Sequence, residues 1–503
     1  MKWFTYQNIR RIYSVFFFML FIVFLLLADF HKMKGYEVSL FLKMDPLVAI
    51  STFLTSWTVY KGLMLSLIII AGTAVFGRFF CSWICPMGIL NQWVSRFFNR
   101  RRAADDYHVN NYRTIFVLKY YILAVILVLA VFGILQAGLF DPIAIITRSF
   151  SISLLPAFNY LTGRVYIKQP LFYGGMLISI LFVVILLANR TFTRFWCRVL
   201  CPLGGLLGII SGVSLLRIRR DVEKCIDCQK CLRHCHGACS PHEELRASEC
   251  MVCMNCIEDC PQGALSFGLA GSDSSVHAPL DLNRRRLLET AVAGAVLFPM
   301  MRSVVNAQTD PQPNVIRPPG SLDEKAFLSR CIKCGECMRV CPTNVIQPSL
   351  LEGGVEGLWA PILINKIGYC EFNCVLCSQV CPTGAIVPLA VEQKTGKSPY
   401  NSPIKLGTAF YDRGRCLPWA MDTECIVCEE MCPVSPKAIW FQEEKIIRRD
   451  GTEAFLKRPR VDTSRCVGCG ICENKCPVHD RPAVKVTSIG ETRSATNRMI
   501  LSQ

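Results

Sequence analysis

The chain has 503 residues, 29 of them cysteine; 52% are hydrophobic, only 18% are charged, and mean hydropathy is +0.34. That balance excludes a disordered chain and a wholly soluble one, and the length excludes a small disulfide-stapled fold; about three domains are expected. The formal charge of +17 is unevenly placed, with 23 basic and 8 acidic residues in 1–223 against 32 and 30 in the rest, so the excess reads as a membrane-orientation signal and not as a nucleic-acid footprint.

Four apolar segments open the chain, at 12–28, 60–80, 120–140 and 169–189. The last two run uncharged for 21 residues, close to the roughly 20 that a spanning helix needs. The first two are shorter and touch charge at their ends, where Lys61 or Arg78 can snorkel. Arg10 and Arg11 precede the first segment; Arg96, Arg100, Arg101 and Arg102 follow the second; Arg190, Arg194, Arg198, Arg217, Arg219 and Arg220 follow the fourth. The positive-inside rule then places both ends of a four-helix bundle in the cytoplasm. The stretch 199–216 is uncharged but Gly-rich and reads as interfacial; if it spans, the topology after it inverts.

The bundle repeats itself. Arg78-Phe-Phe-Cys81-x3-Cys85-Pro86-x-Gly88 matches Arg194-Phe-Trp-Cys197-x3-Cys201-Pro202-x-Gly204, and Asp45-Pro46 matches Asp141-Pro142. Two halves in one orientation predict a parallel repeat that brings four thiols together near the cytoplasmic face. A shared metal or iron–sulfur site, a pair of redox-active dithiols and plain helix-end packing all stay open for Cys81, Cys85, Cys197 and Cys201. Structural disulfides are disfavoured in a reducing cytoplasm. Asp45 and Asp141 read first as helix caps, with Asp at N-cap and Pro at N1, and second as proton acceptors near a quinol.

Residues 224–268 carry two cysteine runs, Cys225, Cys228, Cys231, Cys235 and Cys250, Cys253, Cys256, Cys260. The basic stretch Arg217–Arg220 leads straight into them, so this module belongs on the cytoplasmic face. Residues 269–310 form a linker with Arg284, Arg285, Arg286 and the uncharged stretch 290–301. Twelve such residues are short for a span and suit a signal-like or anchoring helix of twin-arginine type; the plain alternative is a buried or interfacial helix with basic flanks. Cubanes are assembled into a folded protein in the cytoplasm, and the twin-arginine route carries folded domains. Val305-Asn306-Ala307 is a candidate cleavage site, and release and tethering both stay open.

Residues 311–503 hold four further runs: Cys331, Cys334, Cys337, Cys341; Cys370, Cys374, Cys377, Cys381; Cys416, Cys425, Cys428, Cys432; and Cys466, Cys469, Cys472, Cys476. Runs one, two, three and six have the bacterial ferredoxin spacing C-x2-C-x2-C-x3-C, and in all but the first run Pro follows the last Cys. Three cysteines three apart wrap one face of a cubane, and the fourth leaves the loop to bind the partner cluster. Soft thiolates suit iron–sulfur iron, whereas zinc sites take two separated C-x2-C pairs. No C-x-x-C-H occurs, which argues against a c-type haem. Adjacent runs exchanging their last cysteine, or outer and inner runs pairing, both stay open in 331–476. Cys239 lies four residues after Cys235; spacing favours Cys235 as the ligand.

Four helices with two C-x3-C-P motifs and a two-cluster ferredoxin resemble the membrane-bound NapH-type ferredoxin of periplasmic nitrate reduction, and the polyferredoxin part of the nitrous-oxide reductase regulator family. Residues 284–503 resemble its NapG-type partner: paired arginines, Arg317-Pro-Pro-Gly320, then four cluster motifs. The resemblance implies a fusion of the two, with menaquinol as substrate, the membrane quinone pool and a periplasmic reductase or c-type cytochrome as partners, and a quinol dehydrogenase role. The internal signal and His236 after Cys235 depart from the family pattern.

The expected architecture is therefore an α-helical membrane bundle of four transmembrane helices with an internal two-fold repeat (1–223), a cytoplasmic ferredoxin module (224–268), the linker (269–310) and a periplasmic four-cluster domain (311–503), the modules being α+β and bacterial ferredoxin-like. Six [4Fe–4S] clusters, with a further iron–sulfur or metal site at the C-x3-C-P thiols, carry electrons in a multi-pass protein of a bacterial inner membrane. The alternative is an assembly factor that keeps a periplasmic metalloenzyme or its copper reduced.

Overall fold

A computed structural model describes residues 5–33, 35–99, 110–163, 171–270, 282–306, 315–447, 451–478 and 480–498. Arg100, Arg101, Arg102 and the cleavage candidate Ala307 lie outside them.

Among the described residues two helices are both long and apolar enough to cross a membrane, Tyr6–Leu27 and Thr114–Val131; Lys61–Phe76 and Gly175–Arg190 are apolar but shorter. Lys61–Leu65 winds as a tight 3-10 turn, and the helix stops where Gly77 takes φ +77°, a left-handed stop that glycine adopts freely. The expectation of four helices of spanning length thus holds for two. The stretch read as interfacial, 199–216, contains helix Pro202–Ser211, on which Leu203, Gly204, Gly205, Leu207 and Gly208 are buried in the bundle.

Short broken helices join the long ones. Breaks at Asp45, Cys85, Asp141 and Cys201 are each followed by a proline that starts the next helix, at Pro46–Ser56, Pro86–Asn99, Pro142–Arg148 and Pro202–Ser211. Proline suits that first position because its φ is preset and its missing N–H has no intrahelical acceptor. Asp45 Oδ1 accepts from Leu47 N at 2.8 Å, and Asp141 Oδ2 from Ala144 N at 2.7 Å, which is the capping role expected of both.

The ferredoxin module and the C-terminal domain hold opposite ends of this bundle. Gln7, at the start of Tyr6–Leu27, donates to Glu258 Oε1 of the module at 2.8 Å, while Asp29, just past its end, pairs with Arg339 of the domain at 3.6 Å. Tyr60 packs against Gly384 of the domain, and at the other end of the same helix Ala74 O accepts from Leu215 N at 3.0 Å, where the chain enters the module. Lys119, early in Thr114–Val131, bonds Glu249 of the module; Gln136 Oε1, beyond its end, accepts from Lys333 Nζ of the domain at 2.6 Å.

Helix Arg284–Asn306 crosses between the two ends. It has 23 residues, not the twelve of its uncharged stretch. Phe298 stacks on Phe132 at 5.0 Å and Gly294 packs against Val128, so it runs parallel to Leu118–Val131.

The module is closed by strand Leu216–Arg220 pairing antiparallel with Leu265–Leu269. In the C-terminal domain, Ile346–Pro348 pairs with Pro361–Leu363 between runs three and four, and Thr408–Tyr411 pairs with Val484–Thr487 around runs five and six. A hairpin of Ile439–Ile447 and Glu453–Val461 extends the second unit. Cys370 N donates to Cys469 O at 2.8 Å, so the two units meet at their cysteine loops.

Candidate iron–sulfur centres

Each run curls a loop into one short helix that carries its third cysteine: Lys230–Arg233, Asn255–Asp259, Glu336–Arg339, Leu376–Gln379, Val427–Glu430 and Ile471–Lys475. In the four runs with C-x2-C-x2-C spacing, left-handed residues flank the second cysteine on both sides. They are Asp227 and Gln229, Val252 and Met254, Lys333 and Gly335, and Gly468 and Gly470. Such paired turns fold the chain into a concave nest whose N–H groups face an anionic centre. Five of these eight residues carry a side chain in a region that disfavours one, a strain that a rigid ligand loop maintains.

The structure brings the runs together in exchanged pairs. Cys225, Cys228 and Cys231 share one cavity with Cys260; Cys370, Cys374 and Cys377 share another with Cys341; Cys466, Cys469 and Cys472 a third with Cys432; and Cys416, Cys425 and Cys428 a fourth with Cys476. Cys381 lies within electrostatic reach of Cys334 and Cys337, and Cys235 within reach of Cys253 and Cys256, which completes the two remaining sets. Adjacent runs therefore exchange their last cysteine, and the outer-with-inner pairing is excluded by geometry. Cys239 Sγ stands 3.6 Å from Cys235 Sγ. Cys239 also contacts Cys250, so both thiols adjoin this set, and the ferredoxin spacing favours Cys235 as the ligand. His236 is buried between Arg10 and Asn255, at 3.4 and 3.2 Å, and packs the seam.

These residues fit the [4Fe–4S] group. Burial first, then neighbouring cysteines, pushes the Cys337 and Cys472 thiols well above their ordinary range. Four adjacent thiolates in so dry a place need a cationic centre between them, and iron supplies that charge when bound.

The C-x3-C-P turns form a further cluster of thiols. Cys81, Cys85, Cys197 and Cys201 are buried and unbridged. Cys85 lies within electrostatic reach of Cys81, Cys197 and Asp141, and Cys201 within reach of the other three thiols. Arg194 Nη1 donates to Cys81 O at 3.1 Å and to Met251 Sδ of the module at 3.2 Å; Arg78 Nη1 donates to Ser248 O at 2.7 Å. Sequence reasoning gave Arg10, Arg78, Arg194 and Arg198 to the membrane surface. All four are instead buried, with hydrogen bonds to the module: Arg10 to Asn255, Arg78 to Ser248 O, Arg194 to Met251 Sδ, and Arg198 to Cys235 O and His236 O. The signal was present in the motif itself, where Arg precedes each C-x3-C-P by the same spacing.

A cavity of about 830 Å³ lies at the seam of bundle and module, lined by Arg10, Gln92, Trp93, Asn110, Cys235 and His236 among others.

A family profile described as a 4Fe-4S binding domain matches residues 58–104 and 173–222, the two C-x3-C-P halves; one described as a 4Fe-4S dicluster domain matches 330–386; another 4Fe-4S binding domain matches 459–479. The chain is 30% identical over 197 residues to the putative electron transport protein YccM of Escherichia coli, covering 38% of this chain and 51% of that protein, so it spans about half the length of that relative. It is 31% identical over 207 residues to the ferredoxin-type protein NapG of Escherichia coli, covering 40% and 84%, and 30% identical over 222 residues to the methylamine utilization ferredoxin-type protein MauM of Methylorubrum extorquens, covering 41% and 90%. No solved structure matches. The exchanged cysteine sets and these likenesses agree: the chain belongs to the family of ferredoxin-type [4Fe–4S] proteins that includes NapG and MauM, and it is an iron–sulfur electron-transfer protein.

Proposed function

We propose that this protein is an integral membrane electron carrier that takes electrons from menaquinol and delivers them to a periplasmic reductase or c-type cytochrome, joining a NapH-type membrane part and a NapG-type domain in one chain. The carrying observation is that the ferredoxin module and the C-terminal domain grip opposite ends of Tyr6–Leu27. Its 22 residues make a helix about 33 Å long at about 1.5 Å per residue, and a bilayer core is about 30 Å thick. The outer surface between the ends is apolar: Phe16, Met19, Val23, Met176, Ile180 and Val184 are exposed, which suits lipid contact.

Arg11, Arg96 and Arg219 stand at the module's end and favour a cytoplasmic module with a periplasmic domain. Helix Arg284–Asn306 then carries the chain outward and tethers the domain. The cavity beside Cys235 is the proposed quinol site. Its Arg10, Gln92 and His236 offer polar contacts for the ring oxygens and Trp93 an aromatic face. Oxidation of a quinol there would release two electrons, which the iron–sulfur groups would accept one at a time when bound, and two protons, which would leave to solvent through the open mouth of the cavity; Arg10, Gln92, Trp93 and His236 would orient the ring. Six [4Fe–4S] groups are assigned to the six runs.

Anaerobic purification followed by addition of a menaquinol analogue tests the reading: reduction of part of the cluster signal, lost in Gln92→Leu, supports it. Protein rich in iron whose clusters the quinol never reduces removes the quinol role. A reporter fused after Gly320 that is active only inside the cell removes the periplasmic placement.

A further inference from the structure

Cys81 and Cys85 from one half of the bundle, and Cys197 and Cys201 from the other, are buried in one continuous core, and Arg194 of the second half donates to Cys81 O of the first at 3.1 Å. We propose that these four thiols hold an iron–sulfur group of their own, in addition to those at the six runs. The proposal rests on the iron–sulfur reading of the chain and adds a site to it.

The turns that present the thiols are fixed before anything binds. Cys201 Sγ accepts from Gly204 N at 3.2 Å, so it caps the helix it starts. A side chain at Gly88 would stand 2.4 Å from Cys81 O, which locks the first turn as tightly.

Charge points to an anionic occupant. Arg78, Arg194 and Lys119 are fully buried here; Glu249 pairs with Arg78 and Lys119, while Arg194 bonds Cys81 O, Met251 Sδ and Gln92 Oε1. Arg78 Nε and Nη2 and Arg194 Nε have no hydrogen-bond partner. After Cys81 and Glu249, the charged neighbours of Arg78 include Cys201, and Arg194, Arg78 and Arg198 all act on Cys197. Neutral thiols would leave Arg78 and Lys119 sharing one carboxylate and the buried Arg194 with neutral partners only, a costly arrangement. A cluster held by four thiolates is a net anion and satisfies them.

An all-thiolate donor set suits an iron–sulfur group, and the four thiols lie within electrostatic reach of one another. The site also has neighbours at both ends of the bundle. Met251 of the module and Ile332 and Cys334 of the C-terminal domain belong to the same continuous apolar core as the four thiols.

The test uses the full chain, purified anaerobically, with iron, sulfide, zinc and copper counted per chain and Mössbauer spectra recorded. Cys81→Ser with Cys197→Ser should lose about two to four iron atoms with matching sulfide and one spectral component, the rest unchanged. The wild type is also treated with a small thiol-alkylating reagent and mapped by mass spectrometry, which decides the matter even if the double variant fails to fold. The four thiols should resist alkylation until iron is chelated. Unchanged iron and sulfide in a folded double variant, zinc or copper in place of the lost iron, or alkylation of these thiols in cluster-loaded protein would each overturn the proposal. Wild-type protein with almost no iron would instead overturn the reading of the six runs.

Discussion

The Lys394 ammonium lies 3.2 Å from the Cys370 sulfur and donates to the Glu371 and Cys374 carbonyls at 2.6 and 2.7 Å. It is a buried cation aimed at one of the four thiols in the set Cys341, Cys370, Cys374, Cys377. Reduction adds negative charge to a cluster, and a fixed cation in a dry site favours the reduced form. Lys394→Met should therefore lower the potential of that centre, cutting its reduced-to-oxidised ratio about tenfold at a fixed ambient potential, or about 59 mV for one electron. An EPR-monitored redox titration reads the shift, and an unmoved midpoint with iron intact refutes it. Tyr411 Oη stands 3.1 Å from Cys428 Sγ. As a neutral donor of about half the strength, its loss in Tyr411→Phe should lower a second midpoint by about threefold in the same ratio.

Docking of the C-terminal domain depends on close backbone approach at Gly138. A Cβ there would stand 1.9 Å from Ile332 O, in the ligand loop of run three. Beside it Arg148 Nη1 bridges Gly138 O and Lys333 O, each at 3.2 Å, and Thr55 Oγ1 donates to Ser329 O at 2.6 Å. Backbone cannot yield as a flexible side chain does, so Gly138→Ala should push the loop outward at a cost of about 1–3 kcal/mol. Hydrogen exchange of residues 329–338 should quicken about tenfold, while the second unit, 404–490, keeps wild-type protection. Uniform exchange across both units would show that the contact does not hold the domain.

The two halves of the repeat should respond unequally to the same substitution. At Gly88 the added carbon meets a carbonyl of its own turn at 2.4 Å; at Gly204 it meets the end of the Arg78 side chain at 3.0 Å and Cys197 O at 3.3 Å. A side chain can rotate away and a carbonyl in a locked turn cannot. Gly88→Ala should cost about 1–3 kcal/mol and Gly204→Ala less than about 1 kcal/mol, read as the thermal midpoints of the two purified variants. Equal losses would mean that the repeat is stiffer at Arg78 than this contact implies.

How much of this was legible in the chain follows from where each signal resides. Ligand spacing is local, so Cys331 to Cys341 read as a cluster loop without any knowledge of the fold. Asp45-Pro46 and Cys85-Pro86 likewise announced helix starts, because cap and proline act within one turn. The exchange of Cys341 with Cys381 is a tertiary fact, and two pairings fitted the same spacings. The burial of Arg10 and Arg194 was hidden for a related reason. Their partners Asn255 and Met251 lie far along the chain, and a charge count cannot tell a surface cation from one held by distant partners. Helix Arg284–Asn306 outran its uncharged stretch because Arg, Leu and Glu extend a helix as readily as apolar residues do.

The Arg317-Pro-Pro-Gly320 stretch gains a physical role from Glu324. Arg317 is buried; its Nε and Nη2 reach Glu324 at 3.1 and 2.5 Å, its Nη1 donates to Pro361 O at 2.9 Å, and Arg493 Nη1 reaches the same carboxylate at 2.8 Å. Burial alone would raise the Glu324 carboxyl, but Arg317 and then Arg493 outweigh it and hold the group at about 2 against an ordinary 4.5. A carboxyl lowered on folding adds stability that is complete above the unfolded value and is lost as pH falls toward the folded one. Part of the carboxylate meets solvent, so the discounted contribution is about 1 kcal/mol. Glu324→Gln should thus lower the temperature at which cluster absorbance bleaches by about 2–4 °C at neutral pH. The gap between wild type and variant should stay constant from about pH 8 to about pH 5.5 and begin to narrow only below about 4.5. A gap that closes already near pH 6 would show that a different group, and not this carboxylate, ties Arg317 to the domain.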